Sequence, residues 1–179
     1  MKYLGIAVLL ALTALGNSGC TSDKADAQGK GAKVAQDEGT PGFVPFEEAI
    51  AKAKASDKIV LVDVYTTWCG WCKRMDKDVY PDPKVQAELA KYFTAAKLNA
   101  ESTETRNFQG GQITEQQIAA HWGVNAYPTL IFMNANGDVV ERIPGYVPVT
   151  EFPLVLRFIG SGEYKKTKDY QEWKKTQTL

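Results

Sequence analysis

The residues best suited to chemistry are two cysteines three positions apart, in the stretch Trp68-Cys69-Gly70-Trp71-Cys72. A strongly apolar and β-branched run, residues 59–65, precedes them, and residues 73–79 have the composition of a helix. The pattern therefore predicts a strand followed by a helix that carries both cysteines on its first turn. In that setting a C-x-x-C pair is typically redox-active.

The predicted positions assign the two cysteines different roles. Unpaired backbone N–H groups and the positive end of the helix dipole stabilise an anion at a helix N-terminus. We therefore expect Cys69 to be the more exposed residue and the attacking thiolate. Cys72, one turn later and more shielded, would resolve the mixed disulfide. Two alternatives remain: a structural disulfide, although so short a loop constrains little, and half of a zinc site, which needs further ligands.

The rest of the chain predicts the elements that position this pair. A parallel βαβ unit is followed by an antiparallel hairpin, which predicts an α/β protein with a mixed four-stranded sheet and helices on both faces. An extra C-terminal helix is expected over residues 169–175, packed through Tyr170 and Trp173. The other predicted elements are helices over residues 46–55, 70–79, 83–91, 114–122 and 152–159 and strands over residues 59–65, 93–98, 130–133 and 139–143.

Two features between these elements leave alternatives open. Residues 99–112 are polar and predict a loop, which either borders the substrate face or is mobile surface. His121 is the only histidine. It either pairs with a cysteine nucleophile or, as we favour, is a surface residue of its helix.

The N-terminus has the pattern of a targeting segment. Lys2 and an apolar stretch are followed by small residues up to Gly19. Cys20 follows directly and resembles the lipidated cysteine of the bacterial lipoprotein lipobox; the alternative is an ordinary secretory signal with Cys20 incidental. Either pattern predicts a location outside the cytoplasm. The predicted organisation is a signal peptide of lipoprotein type (1–19), a flexible tether (20–42), a folded domain (43–162) and a C-terminal extension (163–179).

The composition is that of an ordinary globular protein with balanced charge. The chain has 21 basic and 21 acidic residues, and 44% of its residues are hydrophobic. This balance gives no indication of nucleic-acid binding and provides enough apolar side chains for a globular core. We expect no cofactor and no metal, because the cysteine pair carries the chemistry, and we expect a monomer.

Three motifs resemble the thioredoxin-like superfamily. Residues 68–73 resemble the family's W-C-G-P-C-K motif, with Trp71 in place of proline. Residues 127–129 resemble the family's cis-proline loop. Asp63 stands six residues before the first cysteine, as the family's buried aspartate does. The resemblance extends over about residues 43–160 and implies the thioredoxin fold.

The resemblance also implies roles for individual residues. A buried carboxyl group resists ionisation, so Asp63 is expected to exchange a proton with Cys72; the alternative is an acid paired with a lysine such as Lys73. Pro128 is expected to be cis, with the backbone of Tyr127 pairing with an extended substrate segment. The alternative is an ordinary trans proline at the start of an edge strand.

The two tryptophans are expected to flank the thiolate. Trp68 is predicted to pack beside the disulfide. Trp71 either offers a stacking surface, shields Cys72 or packs on the Pro128 loop, and the sequence leaves these alternatives open. The residues between the cysteines help to set the reduction potential, so the comparison with thioredoxin does not give it.

Within the superfamily, residues 62–69 and 80–85 resemble the C-terminal thioredoxin-like domain of the disulfide reductase DsbD, and residues 160–173 resemble proteins of the SoxW type. This implies a periplasmic thiol–disulfide oxidoreductase that reduces protein disulfides. It would in turn be reduced by a membrane electron donor of the DsbD or CcdA kind. The alternatives are a disulfide oxidase or isomerase with the same site, and a thioredoxin-fold binding or chaperone module.

Overall fold

The structure, a computed structural model, describes residues 40–167 and 169–177. The predicted signal segment, Cys20 and nearly all of the predicted tether lie outside these residues. Within them, no helix is both long and apolar enough to cross a membrane.

Helices and strands lie close to their predicted positions through most of the described chain. A π-helical turn, Met75–Val79, extends α2, and a short 3-10 turn spans Glu163–Lys165. The other elements are α1 (Phe46–Ser56), β1 (Ile59–Tyr65), α2 (Gly70–Arg74), α3 (Pro83–Tyr92), β2 (Phe93–Asn99), β3 (Thr105–Phe108), β4 (Gly111–Thr114), α4 (Glu115–His121), β5 (Thr129–Met133), β6 (Val139–Pro144), α5 (Phe152–Gly160) and α6 (Tyr170–Lys175).

The main sheet has four strands in the order β2-β1-β5-β6. Strand β1 pairs parallel with β2 and antiparallel with β5, and β5 pairs antiparallel with β6. The predicted mixed sheet is therefore confirmed. Strand β1 is one of the two central strands and ends at Tyr65, so the cysteines lie just beyond its carboxyl end.

Two hydrophobic clusters cover the two faces of this sheet. Side chains alternate between the faces of a strand, so Val60, Val62 and Val64 of β1 pack with α1 and α4. Leu61 points the other way, into a cluster formed with the α2 extension, α3 and α5. Helices on both faces, as predicted, therefore hold β1 rigidly on both sides.

The helix that carries Cys72 differs from the prediction of a regular helix over residues 70–79. After Arg74 it widens into a π-helical turn, in which the Tyr80 N–H donates to the Met75 carbonyl five residues back (2.9 Å). Met75, Val79 and Tyr80 are all fully buried. The wider turn brings these three side chains into one core, which the spacing of a regular helix would not do as well.

The prediction of a loop over residues 99–112 is wrong for its second half. Strands β3 and β4 form a separate two-stranded hairpin there. Its turn residues Gln109 and Gly110 have φ values of 49° and 83°. Positive φ at both central residues is typical of a type I′ turn, which matches the twist of a hairpin. Arg106 and Phe108 on β3 point inward and are buried, which ties the hairpin to the domain.

The predicted C-terminal helix is confirmed as α6. The rings of Tyr170 and Trp173 lie 5.3 and 5.0 Å from the ring of Phe158 on α5. Aromatic pairs at such distances stabilise beyond their buried area. The helix therefore packs on the domain through the two residues that the sequence indicated.

Candidate active site

The two cysteines form a disulfide with an S–S distance of 2.06 Å. Cys69 caps the N-terminus of α2, and the Cys72 backbone N–H donates to the Cys69 sulfur over 3.0 Å. The strand, the helix and both cysteines are arranged as the sequence predicted. An N–H aimed at the Cys69 sulfur, together with the helix dipole, would stabilise a thiolate there once the disulfide is reduced.

The expected difference in exposure between the cysteines is small. Cys69 is 4% exposed and Cys72 is 2% exposed. Cys69 is therefore not an open surface residue in the disulfide form. The two most exposed large hydrophobic residues of the described chain, Trp68 and Trp71, lie directly beside this pair in the sequence.

The first of these forms what we call the Trp68 patch: Trp68, Tyr127 and Glu101. Trp68 is 67% exposed, and its ring meets that of Tyr127 edge-on at 5.8 Å. Its indole N–H donates to Glu101 Oε1 over 2.9 Å. The other Glu101 oxygen accepts from the backbone N–H and the hydroxyl of Thr67, both at 3.1 Å.

These hydrogen bonds keep Glu101 charged. The Thr67 backbone N–H, followed by the Trp68 indole and the Thr67 hydroxyl, holds the pKa of Glu101 below its usual value. Sequence reasoning missed Glu101, which lies in the segment predicted as a loop. Its only sequence signal was a carboxylate shortly after the second strand.

The second aromatic surface, the Trp71 patch, comprises Trp71, Tyr146 and Arg74. Trp71 is 52% exposed and its ring lies 5.0 Å from that of Tyr146. The Arg74 guanidinium lies 5.5 Å from the Trp71 ring and 5.6 Å from the Tyr146 ring. Arg74 also forms an ion pair with Asp78 at 3.4 Å. Trp71 thus packs on Tyr146, and about half of its surface stays exposed.

The proline loop, residues 127–129, lies between Trp68 and the segment that carries Tyr146. The Tyr127–Pro128 peptide bond is cis, which confirms the prediction. Tyr127 contacts Trp68, and the Pro128 carbonyl accepts a hydrogen bond from the Gly145 N–H over 2.7 Å. Gly145 precedes Tyr146 of the Trp71 patch. The loop therefore contacts the Trp68 patch and is hydrogen-bonded to the residue that precedes Tyr146.

Asp63 lies in the middle of β1 and is fully buried. It stands opposite Lys97 in the register of β1 with β2, and Lys97 Nζ lies 3.8 Å from Asp63 Oδ2. Lys97 also forms an ion pair with Asp76 on the π-helical turn. Asp63 therefore lies beside a lysine, Lys97, that the sequence analysis did not name.

Tyr80 is a second neighbour of Asp63. Burial, and then the charge of Asp63, raise the pKa of the Tyr80 hydroxyl well above its usual value. Tyr80 therefore stays protonated. The sequence predicted a buried Asp63 but did not identify Lys97, Asp76 or Tyr80, whose approach depends on strand pairing and on the π-helical turn.

The other candidate ligands and nucleophile partners lie elsewhere. His121 is at the end of α4, where its ring packs against Phe108 at 5.5 Å. Within residues 40–167 and 169–177, no group of three or more His, Cys, Asp or Glu residues is arranged to hold a metal ion. The sulfurs that a zinc site would use are bonded to each other.

A sheet with this strand order, and a cysteine pair on the helix that follows its central strand, is the architecture of thioredoxin-fold thiol–disulfide oxidoreductases. Comparison with known families agrees with this class. Residues 46–160 match the family of thioredoxin-like domains, and the chain belongs to that family.

Individual relatives point the same way. The thiol:disulfide interchange protein DsbD of Tatumella citrea is 31% identical over 108 residues, which are 59% of this chain and 17% of that protein. The DsbD of Citrobacter koseri is 29% identical over 135 residues, 71% of this chain and 22% of that protein. The chain thus spans less than a quarter of these curated relatives.

Among solved structures, a thioredoxin-fold protein from Helicobacter pylori superposes with a TM-score of 0.58 at 26% identity, over 67% of this chain and 80% of that one. These comparisons support the thioredoxin fold and a cysteine-pair redox centre.

Proposed function

We propose that this protein is an extracytoplasmic thiol–disulfide oxidoreductase that reduces disulfide bonds in other proteins. The observation that carries the proposal is the Cys69–Cys72 disulfide, with the Cys72 N–H directed at the Cys69 sulfur. A pair held in this way alternates between dithiol and disulfide within one local arrangement. The exposed tryptophans on either side offer contact area to a protein substrate.

The reaction begins with the reduced protein. The Cys69 thiolate attacks one sulfur of the substrate disulfide, and the substrate's other sulfur leaves as a thiolate that takes up a proton. Cys72 then loses its proton and attacks the Cys69 sulfur. The second substrate sulfur leaves, and the protein retains the Cys69–Cys72 disulfide. Two electrons have passed from the protein to the substrate.

Asp63 is proposed to accept the proton of Cys72. Its carboxyl group is fully buried and interacts with the Lys97 ammonium. In this role the Asp63 carboxylate would take the Cys72 proton during resolution and release it afterwards.

Trp68, Trp71, Tyr127 and Pro128 are proposed to form the substrate contact. An extended segment of the substrate would lie along the proline loop, which contacts Trp68 and is hydrogen-bonded to the residue before Tyr146. Backbone pairing at Tyr127 would align the segment, as in the addition of a strand to a sheet edge. The tryptophans would contact side chains next to the substrate cysteine.

The partner and location extend the same proposal. The likeness to thiol:disulfide interchange proteins supports reduction of this protein by a membrane electron donor of the DsbD or CcdA type. The signal-like sequence before Gly19 supports export from the cytoplasm. Lipidation of Cys20 would tether the domain to a membrane, and fractionation of cells that express the full chain or Cys20→Ala tests that anchor.

The test of function is reduction of insulin disulfides with a chemical electron donor. The wild-type chain should turn over repeatedly, whereas Cys69→Ser should lose turnover entirely. A wild-type protein that never turns over would favour a binding module and contradict the proposal. The reduction potential of the protein distinguishes the two directions of electron transfer. A value near that of thioredoxin, about −270 mV, supports a reductase, and one near about −120 mV supports an oxidase.

A further inference from the structure

A buried ion pair between the β3–β4 hairpin and α4 takes no part in the proposed reaction. It joins Arg106 on β3 to Glu115, the first residue of α4, and both residues are buried. Arg106 Nε donates to Glu115 Oε1 over 2.6 Å, and Arg106 Nη2 lies 2.5 Å from the same oxygen. Breaking one partner of such a pair leaves an uncompensated charge, so the pair holds the β3–β4 hairpin against α4 in one arrangement.

A continuous series of hydrogen bonds connects this pair to the active site. The second oxygen of Glu115, Oε2, accepts from the Asn99 N–H over 3.0 Å. The Asn99 side-chain oxygen accepts from the Glu101 N–H, also over 3.0 Å. Two backbone bonds fix the remainder of the segment: Glu115 N–H to the Glu104 carbonyl (3.0 Å) and Gln116 N–H to the Ser102 carbonyl (3.1 Å).

Glu101 is the last member of this series before the exposed indole. Its carboxylate binds Trp68 and both donors of Thr67. Without that support, an indole that is two-thirds exposed would sample several rotamers. Ordering a side chain before the partner arrives removes an entropy cost from binding.

We propose that the Arg106–Glu115 pair, acting through residues 99–104, is a positioning element that holds Trp68 in its substrate-binding orientation. The inference rests on the proposed function, in which Trp68 contacts the substrate. It assigns the β3–β4 hairpin to the support of the substrate face and not to mobile surface. Neither Arg106 nor Glu115 touches the reacting sulfurs in this account; both act through Glu101.

The test uses Arg106→Gln in the full chain. This substitution removes the charge and leaves Glu115 buried without its partner. The matched control is Arg157→Gln, because Arg157 forms a similar pair with Glu88 (2.6 Å) between α5 and α3. Two quantities are measured: the indole N–H resonance of Trp68, assigned with Trp68→Phe, and the separate KM and kcat values for reduction of a protein disulfide.

We expect Arg106→Gln to shift and broaden the Trp68 indole resonance and to raise KM about 3- to 10-fold, with kcat within about twofold of wild type. Arg106→Lys, which keeps one charged donor, should restore the resonance in part. Arg157→Gln should lower the free energy of unfolding without moving either quantity. In a Trp68→Phe background, Arg106→Gln should add no further increase in KM.

An unmoved Trp68 resonance in folded Arg106→Gln would overturn the inference, as would an equal shift in Arg157→Gln. If Arg106→Gln does not fold, Asn99→Ala interrupts the same series nearer to Glu101 and must shift the resonance. The NMR measurement of the Trp68 resonance does not depend on enzymatic turnover. If the wild-type chain fails to reduce protein disulfides, the proposed function fails while the positioning of Trp68 is still decided.

Discussion

The two tryptophans beside the disulfide are held by different forces. Trp68 is fixed by a hydrogen bond to a charged carboxylate, which is itself bonded to the neighbouring Thr67. Trp71 is held by contact with the Tyr146 ring and by the Arg74 guanidinium near both rings. The position of Trp68 therefore depends on directional hydrogen bonds. The position of Trp71 depends on ring packing and on a nearby cation.

This difference predicts a fixed orientation for the Trp68 ring and a variable one for the Trp71 ring. A hydrogen bond to Glu101 sets the angle of the Trp68 ring, whereas stacked rings slide over one another at little cost. We expect Trp68 to supply a fixed contact near the attacking sulfur and Trp71 to adjust to different substrates. The pairing of an ordered and an adjustable surface would suit an enzyme that reduces several protein disulfides.

Removal of each ring in turn tests this division most strongly. Trp68→Ala should lower kcat/KM for a protein disulfide roughly 30-fold, and Trp71→Ala roughly 10-fold, because aromatic anchors dominate contact energies and Trp68 exposes more of its surface. Steady-state kinetics on several protein substrates gives both numbers. Equal losses on every substrate would remove the distinction between the patches.

Removal of the carboxylate that holds Trp68 should have the next largest effect. Glu101→Ala takes away the acceptor for three hydrogen bonds and should raise KM about 3- to 10-fold by loosening the indole. The Trp71 indole resonance should stay in place. A shift of Trp71 as large as that of Trp68 would show that the patches are coupled.

Removal of the cation beside Trp71 should have a smaller effect. Arg74→Gln should lower kcat/KM about 2- to 5-fold, since an exposed cation–π contact contributes about 0.5–1 kcal/mol. Lys77→Gln, on the same helical segment and exposed, controls for the lost charge. If the two variants behave alike, net charge and not the stack explains the change.

Acid should loosen the Trp68 patch through Glu101. The pKa of Glu101 is depressed below its ordinary value of 4.5 by hydrogen bonds from Thr67 and Trp68. The carboxylate's contribution is therefore fully present above about pH 4.5 and is lost as pH falls through the lower folded-state pKa. A titration from pH 7 to pH 3 followed by NMR should move the Trp68 indole resonance at the acid end of this range. Movement confined to the range above pH 5 would contradict this assignment.

The sequence predicted the parts of the site that depend on local order along the chain. Cys69 and Cys72 follow an apolar strand and begin a helix, and neighbouring residues alone indicate that arrangement. The fold could be predicted in the same way, because each helix or strand of the main sheet has its own apolar pattern. The helix predicted from residue 114 begins there, and Thr114 and Gln117 form its capping box.

The contacts of the site that the sequence did not predict join residues far apart in the chain. Lys97 reaches Asp63 only because β1 and β2 pair in one register, and Glu101 reaches Trp68 across 33 positions. The β3–β4 hairpin was missed because its strands have four residues each and Gln109 adopts a left-handed conformation that glutamine seldom takes. Short polar strands carry little periodicity from which to predict them.

The most direct test of the central claim is capture of the mixed disulfide at Cys69. Cys72→Ala removes the resolving thiol, so a substrate that Cys69 attacks should stay bonded to the protein and migrate as a larger, reductant-sensitive species in non-reducing electrophoresis of cell extracts. Mass spectrometry should place the bond at Cys69, and Cys69→Ser combined with Cys72→Ala should abolish it. Absence of any captured protein while Cys69 is intact would contradict the account.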